Sequence, residues 1–206
     1  VARVPEAMAR GVKTGGDLAP LLDGADVVVI GPGLGQEAWG KALLLQVLQQ
    51  AKPTVIDADA LNLIAQLPEA IDLSFAIITP HPKEAARLLQ STVGQVQDDR
   101  PEAAMALHKK YAAKVLLKGT GSLMVAEAKY VCANGTPALS VAGTGDVLSG
   151  IIASFWAQDK NPEQALTQGV LVHALAGEKL AQQNGERGLL ASQISNMIGR
   201  VIDATD

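Results

Sequence analysis

With one cysteine, Cys132, the 206-residue chain has no means of forming an internal disulfide or a cysteine-rich zinc site, and a reducing compartment, the cytoplasm, is the expected setting. Aromatic side chains are scarce as well: two each of Phe, Trp and Tyr are too few to build base-stacking platforms and also fill a core, which must then be aliphatic. Positive charge is in deficit. Seventeen Lys and Arg stand against 21 Asp and Glu, and a net charge of −4 is the wrong balance for a nucleic-acid partner. No run approaches the roughly 18 apolar residues of a membrane span, and no basic stretch precedes an apolar segment at the start. Neither a membrane partner nor a secretory signal is therefore expected. What the chain does have is 48% hydrophobic residues, enough for a sizeable core, and a length that fits one domain over residues 1–206. It begins at Val1 without Met, and residues 1–6 read as the end of a strand, as in a fragment.

Apolar β-branched runs alternate with helical periodicity along the first half. Val27-Val28-Val29-Ile30 stops at the turn residues Gly31-Pro32-Gly33-Leu34-Gly35, as a buried parallel strand does. A helix is expected over residues 36–51, ended by Lys52-Pro53. Strands at 54–57 and 76–79 and helices near 60–67 and at 82–89 continue the cycle, the last with Pro82 in its first turn. A helix over 101–113 leads to a strand at 115–118. Runs at 123–126 and 130–133 then follow too closely for crossover helices, so they are expected to pair antiparallel. Helices over 146–158, over 162–183 behind Asn161 as N-cap, and from about 192 complete the chain. This pattern predicts an α/β fold with a mostly parallel central sheet, flanked by helices and carrying some antiparallel strands; ligands bind such sheets beyond the carboxyl ends of their strands.

The richest segment at such an end is Val141-Ala142-Gly143-Thr144-Gly145-Asp146-Val147-Leu148-Ser149-Gly150, a glycine-rich turn opening into an apolar helix. Free backbone N–H groups there make an anion hole, and Asp146 beside it is placed to take a proton from a substrate hydroxyl while a phosphoryl group is held. The plainer reading is a helix start with an Asp that suits the dipole. Lys118-Gly119-Thr120-Gly121-Ser122 brings a cation, two hydroxyls and flexible backbone to one turn, suited either to a phosphate or to a simple hairpin. It lacks the spacing of a Walker A loop. Gly33 and Gly35 allow close approach by a ligand without completing a dinucleotide fingerprint. In Asp57-Ala58-Asp59, Asp59 is expected to cap the next helix, and Asp57 could bind a metal-bound water. Between two prolines, His81 is held rigidly ahead of Glu84, and both could bond a polar substrate. His108 and His173 read as surface or satisfied interior residues, Cys132 as core, and Arg187 as a surface residue able to reach a phosphate.

Taken in order, Gly31-Pro32-Gly33-Leu34-Gly35, Asp57-Ala58-Asp59-Ala60-Leu61, Thr79-Pro80-His81-Pro82-Lys83-Glu84, Lys118-Gly119-Thr120-Gly121-Ser122 and Gly143-Thr144-Gly145-Asp146 closely resemble the ADP/ATP-dependent NAD(P)H-hydrate dehydratases. The resemblance spans nearly the whole chain. It implies a ribokinase-like fold whose N-terminal part lies outside this sequence, and a carbon–oxygen lyase that restores NADH or NADPH from the hydrated forms NADHX and NADPHX. It also implies Asp146 as the catalytic carboxylate, and Gly33, Gly35, His81, Pro82, Glu84 and Asp146 as substrate contacts. Nucleotide contacts would be Lys118, Gly119, Thr120, Gly121, Ser122, Asn134, Gly143, Thr144 and Gly145. ADP or ATP is the implied co-substrate. Mg2+ is expected on its phosphates, with no dedicated protein ligand set for a metal visible. A homo-oligomer and a fused N-terminal epimerase domain beyond this chain are further expectations of the resemblance. The rivals are a ribokinase-like kinase acting on a vitamin-precursor alcohol, for which the same anion hole would serve, and a catalytically silent adenine-nucleotide sensor.

Overall fold

Six strands lie in chain order across a single sheet of the computed structural model, which describes residues 4, 6–68 and 71–204. Strands β1 (Val28–Ile30), β2 (Thr54–Ile56), β3 (Ala76–Ile78) and β4 (Lys114–Leu117) run parallel. Strands β5 (Ser122–Val125) and β6 (Lys129–Cys132) add antiparallel hairpins at one edge, as the short links between them require. The expected mixture of parallel and antiparallel strands is therefore what forms.

Between the parallel strands the chain crosses over on one face. Helices α1 (Gly15–Asp23), α2 (Ala38–Gln50), α3 (Ala58–Ile64), α4 (Pro82–Leu89), α5 (Val93–Asp98) and α6 (Arg100–Tyr111) all contribute to the core on that side. Helices α7 (Thr144–Asp159) and α8 (Pro162–Asn184) cover the opposite face, and α9 (Ala191–Ile202) packs outside them. Side chains of the strands alternate between these cores. Ile56, Ile78, Val115 and Leu117 face the crossover helices, while Val55, Ile77 and Leu116 face α7 and α8. Lys118 follows Leu117 and Asp57 follows Ile56, so the period of two sends both toward α7. The long helices approach closely enough for this: a Cβ on Gly169 of α8 would sit 2.8 Å from a side-chain atom of Ile152 in α7.

Two short helices, α1 and α5, were not signalled by periodicity. Pro20 lies inside α1, which instead depends on a capping box between Thr14 and Asp17, and α5 has six residues. A correction concerns the α3 cap. Helix α3 starts at Ala58, so Asp57 is the N-cap and accepts from the Ala58 N–H, and Asp59 falls in the first turn. Of the strand expected at residues 1–6, residues 1–3 and 5 lie outside the described residues, and Val4 and Glu6 form no strand.

Candidate active site

The glycine-rich turn at the start of α7 lies over the carboxyl ends of the parallel strands. Gly143, at φ +88°, is the N-cap, and Val147 N–H makes the first bond of the helix, to Gly143 O at 3.1 Å. The N–H groups of Gly145 and Asp146 are left with no acceptor among the described residues, which is the arrangement that binds an anion at a helix start. The Asp146 side chain is exposed and has no partner among the described residues. Thr144 is different: its buried hydroxyl lies 2.8 Å from Leu139 O and 3.0 Å from Val141 O, so it braces the loop rather than facing a ligand.

Beneath this turn sits a buried polar cluster. Asp57 is 1% exposed, and Lys118 Nζ donates to its Oδ1 at 2.7 Å while Ser149 Oγ, in the second turn of α7, donates to its Oδ2 at 2.9 Å. A Cβ on Gly145 would lie 3.4 Å from Lys118 Nζ, so the ammonium stands against the acceptorless first turn. His173 of α8 closes the cluster from below. Its Nε2 donates to Thr144 O at 3.1 Å, and burial, with the Lys118 charge adding to it, brings the imidazole down to about 4. At neutral pH it is an uncharged brace, a satisfied interior residue.

On the next strand end, His81 caps α4. Its Nδ1 accepts from the Lys83 and Glu84 N–H groups while Glu84 Oε2 accepts from the His81 N–H at 2.8 Å. Accepting at Nδ1 leaves the ring proton on Nε2, which lies 3.4 Å from Glu84 Oε1. Burial lowers the His81 pKa, and Lys118 lowers it further; burial raises that of Glu84, opposed by the bond from His81 N–H and by Lys118. Lys118 is thus the charge felt by His81, Glu84 and His173 alike. Pro82 follows as the first residue of α4.

Two loops flank this centre. Asp59, not a cap, accepts from the Gly35 N–H at 2.9 Å and from Gln36 Nε2 at 3.1 Å, fixing the loop that carries Gly33 and Gly35. Helix α2 presses on that loop from behind, since a Cβ on Gly40 would come within 2.5 Å of Gly35 O. The Lys118 to Ser122 segment is the β4–β5 hairpin link, held from outside by Arg100 of α6, which donates to Thr120 O and to Leu117 O. Ser122 Oγ donates to Gly119 O at 3.0 Å. Asn134 lies further along, where Glu178 of α8 accepts from its Nδ2 and from the Gly135 N–H. Arg187 is exposed, and Cys132 is buried with its thiol pKa raised by burial, in keeping with a core residue.

Arg100, Ser149, Glu178 and the full role of Asp57 were not assigned from the sequence. The contacts that bring them to the site, Arg100 to Leu117, Glu178 to Asn134 and Ser149 to Asp57, span separations of 17 to 92 residues and carry no local spacing. Among the described residues no group of three or more His, Cys, Asp or Glu side chains converges as a metal site. No described helix is long and apolar enough to cross a membrane.

Known proteins resemble this chain in both sequence and fold. The chain is 45% identical over 192 residues to a bifunctional NAD(P)H-hydrate repair enzyme of Coxiella burnetii, covering 92% of this chain and 39% of that protein. It is 38% identical over 203 residues to an ADP-dependent (S)-NAD(P)H-hydrate dehydratase of Neisseria meningitidis, covering 95% of this chain and 68% of that one. The chain therefore spans about two fifths of the length of bifunctional relatives such as the Coxiella protein. Among solved structures, a ribokinase-like superfamily protein of Enterococcus faecalis superposes with a TM-score of 0.88 at 29% identity, over 98% of this chain and 72% of that one. An ADP/ATP-dependent NAD(P)H-hydrate dehydratase of Bacillus subtilis, co-crystallised with ATP and Mg2+, gives 0.79 at 26% identity, over 88% of this chain and 65% of that one. The fold is accordingly ribokinase-like. With the NAD(P)H-hydrate dehydratase family model matching residues 1–200, the chain belongs to that family.

Proposed function

We propose that this chain forms one catalytic domain that dehydrates the S epimer of hydrated NADH or NADPH at the expense of ADP or ATP. The observation that carries the reading is the first turn of α7, where among the described residues the Gly145 and Asp146 N–H groups lack acceptors and the Asp146 carboxylate has no partner, and where Lys118 Nζ would stand 3.4 Å from a Cβ on Gly145. Hydroxide is a poor leaving group. The site supplies what is needed to convert it: Asp146 accepts the proton of the substrate hydroxyl as that oxygen takes the terminal phosphoryl group of the nucleotide, with the phosphoryl oxygens held by the α7 amides. The phosphorylated oxygen then departs as phosphate, pushed by the lone pair of the ring nitrogen, and loss of a proton from the neighbouring ring carbon restores the double bond.

In this reading Gly33, Gly35, His81, Pro82 and Glu84 line the nicotinamide side. Lys118, Gly119, Thr120, Gly121, Ser122, Asn134, Gly143 and Gly145 line the nucleotide side, and Thr144 braces their turn from behind through Leu139 O and Val141 O. The neutral His81 imidazole and the raised Glu84 carboxyl suit a polar, uncharged ring. A Mg2+ ion would be carried on the nucleotide phosphates, where it neutralises their charge, since no group of acidic or His side chains among the described residues offers it a cage. A fused epimerase domain outside this chain is supported by the bifunctional name of the Coxiella relative, and a homo-oligomer by the exposed apolar Leu171 and Leu190. The cytoplasm is the proposed location, in keeping with a chain that carries one cysteine.

The test is an incubation of the purified chain with NADHX, Mg2+ and either ADP or ATP, following absorbance near ~340 nm and released phosphate. Nucleotide-dependent recovery of NADH with matching phosphate is expected. A stable phosphorylated product would indicate a kinase, and nucleotide binding without turnover a silent sensor.

A further inference from the structure

Several features of the fold converge on Asp57 without any need of stability for them. The carboxylate accepts three hydrogen bonds: from Lys118 Nζ and the Ala58 N–H on Oδ1, at 2.7 and 2.8 Å, and from Ser149 Oγ on Oδ2 at 2.9 Å. Ala58 takes φ +48°, a left-handed conformation disfavoured for a residue with a Cβ, immediately after it. Gly31 makes room for its backbone, since a Cβ there would lie 1.7 Å from Asp57 O. A buried ion pair is commonly replaceable by apolar side chains with no loss of stability, so this investment of geometry points elsewhere.

The Lys118 side chain is 20% exposed, and its Nζ bonds only to Asp57 among the described residues. An ammonium has three donors, so two remain for a ligand. On a flexible four-carbon stem those donors would spread over many rotamers and extend into water; a fixed anion beneath the ammonium removes that freedom. Ser149 Oγ also lies 3.2 Å from Gly145 O, which ties the orientation of the carboxylate to the same turn that carries the acceptorless amides.

We propose that Asp57 is a positioning residue that holds the Lys118 ammonium against the first turn of α7, so that cation and amides together grip the phosphates of the nucleotide. This rests on the reading of α7 as the phosphate site given above. Asp57 itself touches neither nucleotide nor hydrate; it acts through Lys118.

The test measures the affinities of ATP and of adenosine, with Mg2+ present, in the wild-type chain, Asp57→Asn, Lys118→Met and the double variant. Asp57→Asn and Lys118→Met are each expected to weaken ATP about tenfold or more, the loss of one charge-assisted contact, with adenosine unchanged. The double variant is expected to bind ATP no more weakly than Lys118→Met alone, because Asp57 has nothing left to position. It also removes both charges of the pair, leaving no unpaired buried ion, so it serves where Asp57→Asn alone fails to fold. The proposal is overturned by ATP affinity retained in Asp57→Asn, by additive losses in the double variant, by a parallel loss of adenosine, by Asn variants that both fail to fold, or by a wild type that binds ATP no better than adenosine. Failure of the dehydratase reading is seen separately: a wild type that grips ATP through its phosphates yet recovers no NADH sinks that reading while the affinity ratios still decide the role of Asp57.

Discussion

Asp57 lies beneath the first turn of α7 and Asp146 lies on it, but their surroundings are opposite. Asp57 is 1% exposed, with Lys118, Ser149 and Ala58 bonded to its oxygens. Asp146 is exposed and has no side-chain partner among the described residues. Asp57, Ser149 and His173, the floor beneath the turn, have their side-chain polar groups bonded within the protein, whereas Lys118 and the turn itself, at the rim, keep donors, and Asp146 a carboxylate, without partners among the described residues. A floor of this kind fixes geometry before the ligand arrives, so little reorganisation is left for the reaction. The two layers are expected to fail differently when altered, the rim in turnover and the floor in stability or affinity.

The largest effect is expected at the rim. Asp146→Asn should lower kcat by about 10³-fold, in the range of a lost general base, while the melting temperature and ADP affinity stay near wild type. Assay of NADH recovery beside a thermal melt checks both; full turnover would remove Asp146 from the role of base. At the floor, Gly31→Ala should destabilise the fold by roughly 3 kcal/mol or more, because its Cβ would meet Asp57 O at 1.7 Å in a conformation, φ +128°, that L side chains rarely adopt. Denaturant titration measures this, and a wild-type midpoint would contradict the packing described.

His173 separates the layers by pH. Its imidazole titrates at about 4 in the folded chain against 6.5 for an ordinary histidine, so between these values the unfolded chain binds the proton and the native one does not. Stability is therefore complete above pH 6.5 and is lost as pH falls toward 4, by roughly 3 kcal/mol over the whole window. Glu84, raised by burial, works in the opposite direction, so the decisive quantity is the difference between wild type and His173→Gln, which keeps a donor for Thr144 O but has no titration. The variant should lack this part of the acid loss; identical pH profiles would show that His173 is not buried neutral. The smallest effect is expected at Arg100. Arg100→Ala releases Thr120 O and Leu117 O, and should raise the nucleotide KM by about fivefold, worth ~1 kcal/mol, with kcat nearly unchanged.

The same contrast explains what could be read from the sequence. Rim residues sit in short motifs at strand ends, where glycine, proline and a lone carboxylate stand out against apolar strands. The α4 helix over Pro82–Leu89, the Asn161 cap of α8 and the antiparallel pairing of β5 and β6 were legible for the same reason: each rests on contacts a few residues apart. Floor contacts are long-range. Asp57 reaches Lys118 across 61 residues and Ser149 across 92, and nothing local to Asp57-Ala58-Asp59 distinguishes the carboxylate that goes inward from the one that binds the Gly35 N–H. The local pattern therefore points to Asp59 as the cap, whereas Asp57 fills that place. Nor does periodicity signal α1, where Pro20 interrupts the pattern and the Thr14 capping box supplies the start.

The most direct measurement of the account is the fate of the substrate's own oxygen. NADHX carrying a heavy oxygen isotope at its hydroxyl, turned over with ATP and Mg2+, should deliver that label to the released phosphate, because the phosphoryl group is transferred to that oxygen before the carbon–oxygen bond breaks. Label recovered in water would contradict phosphoryl transfer at the α7 turn.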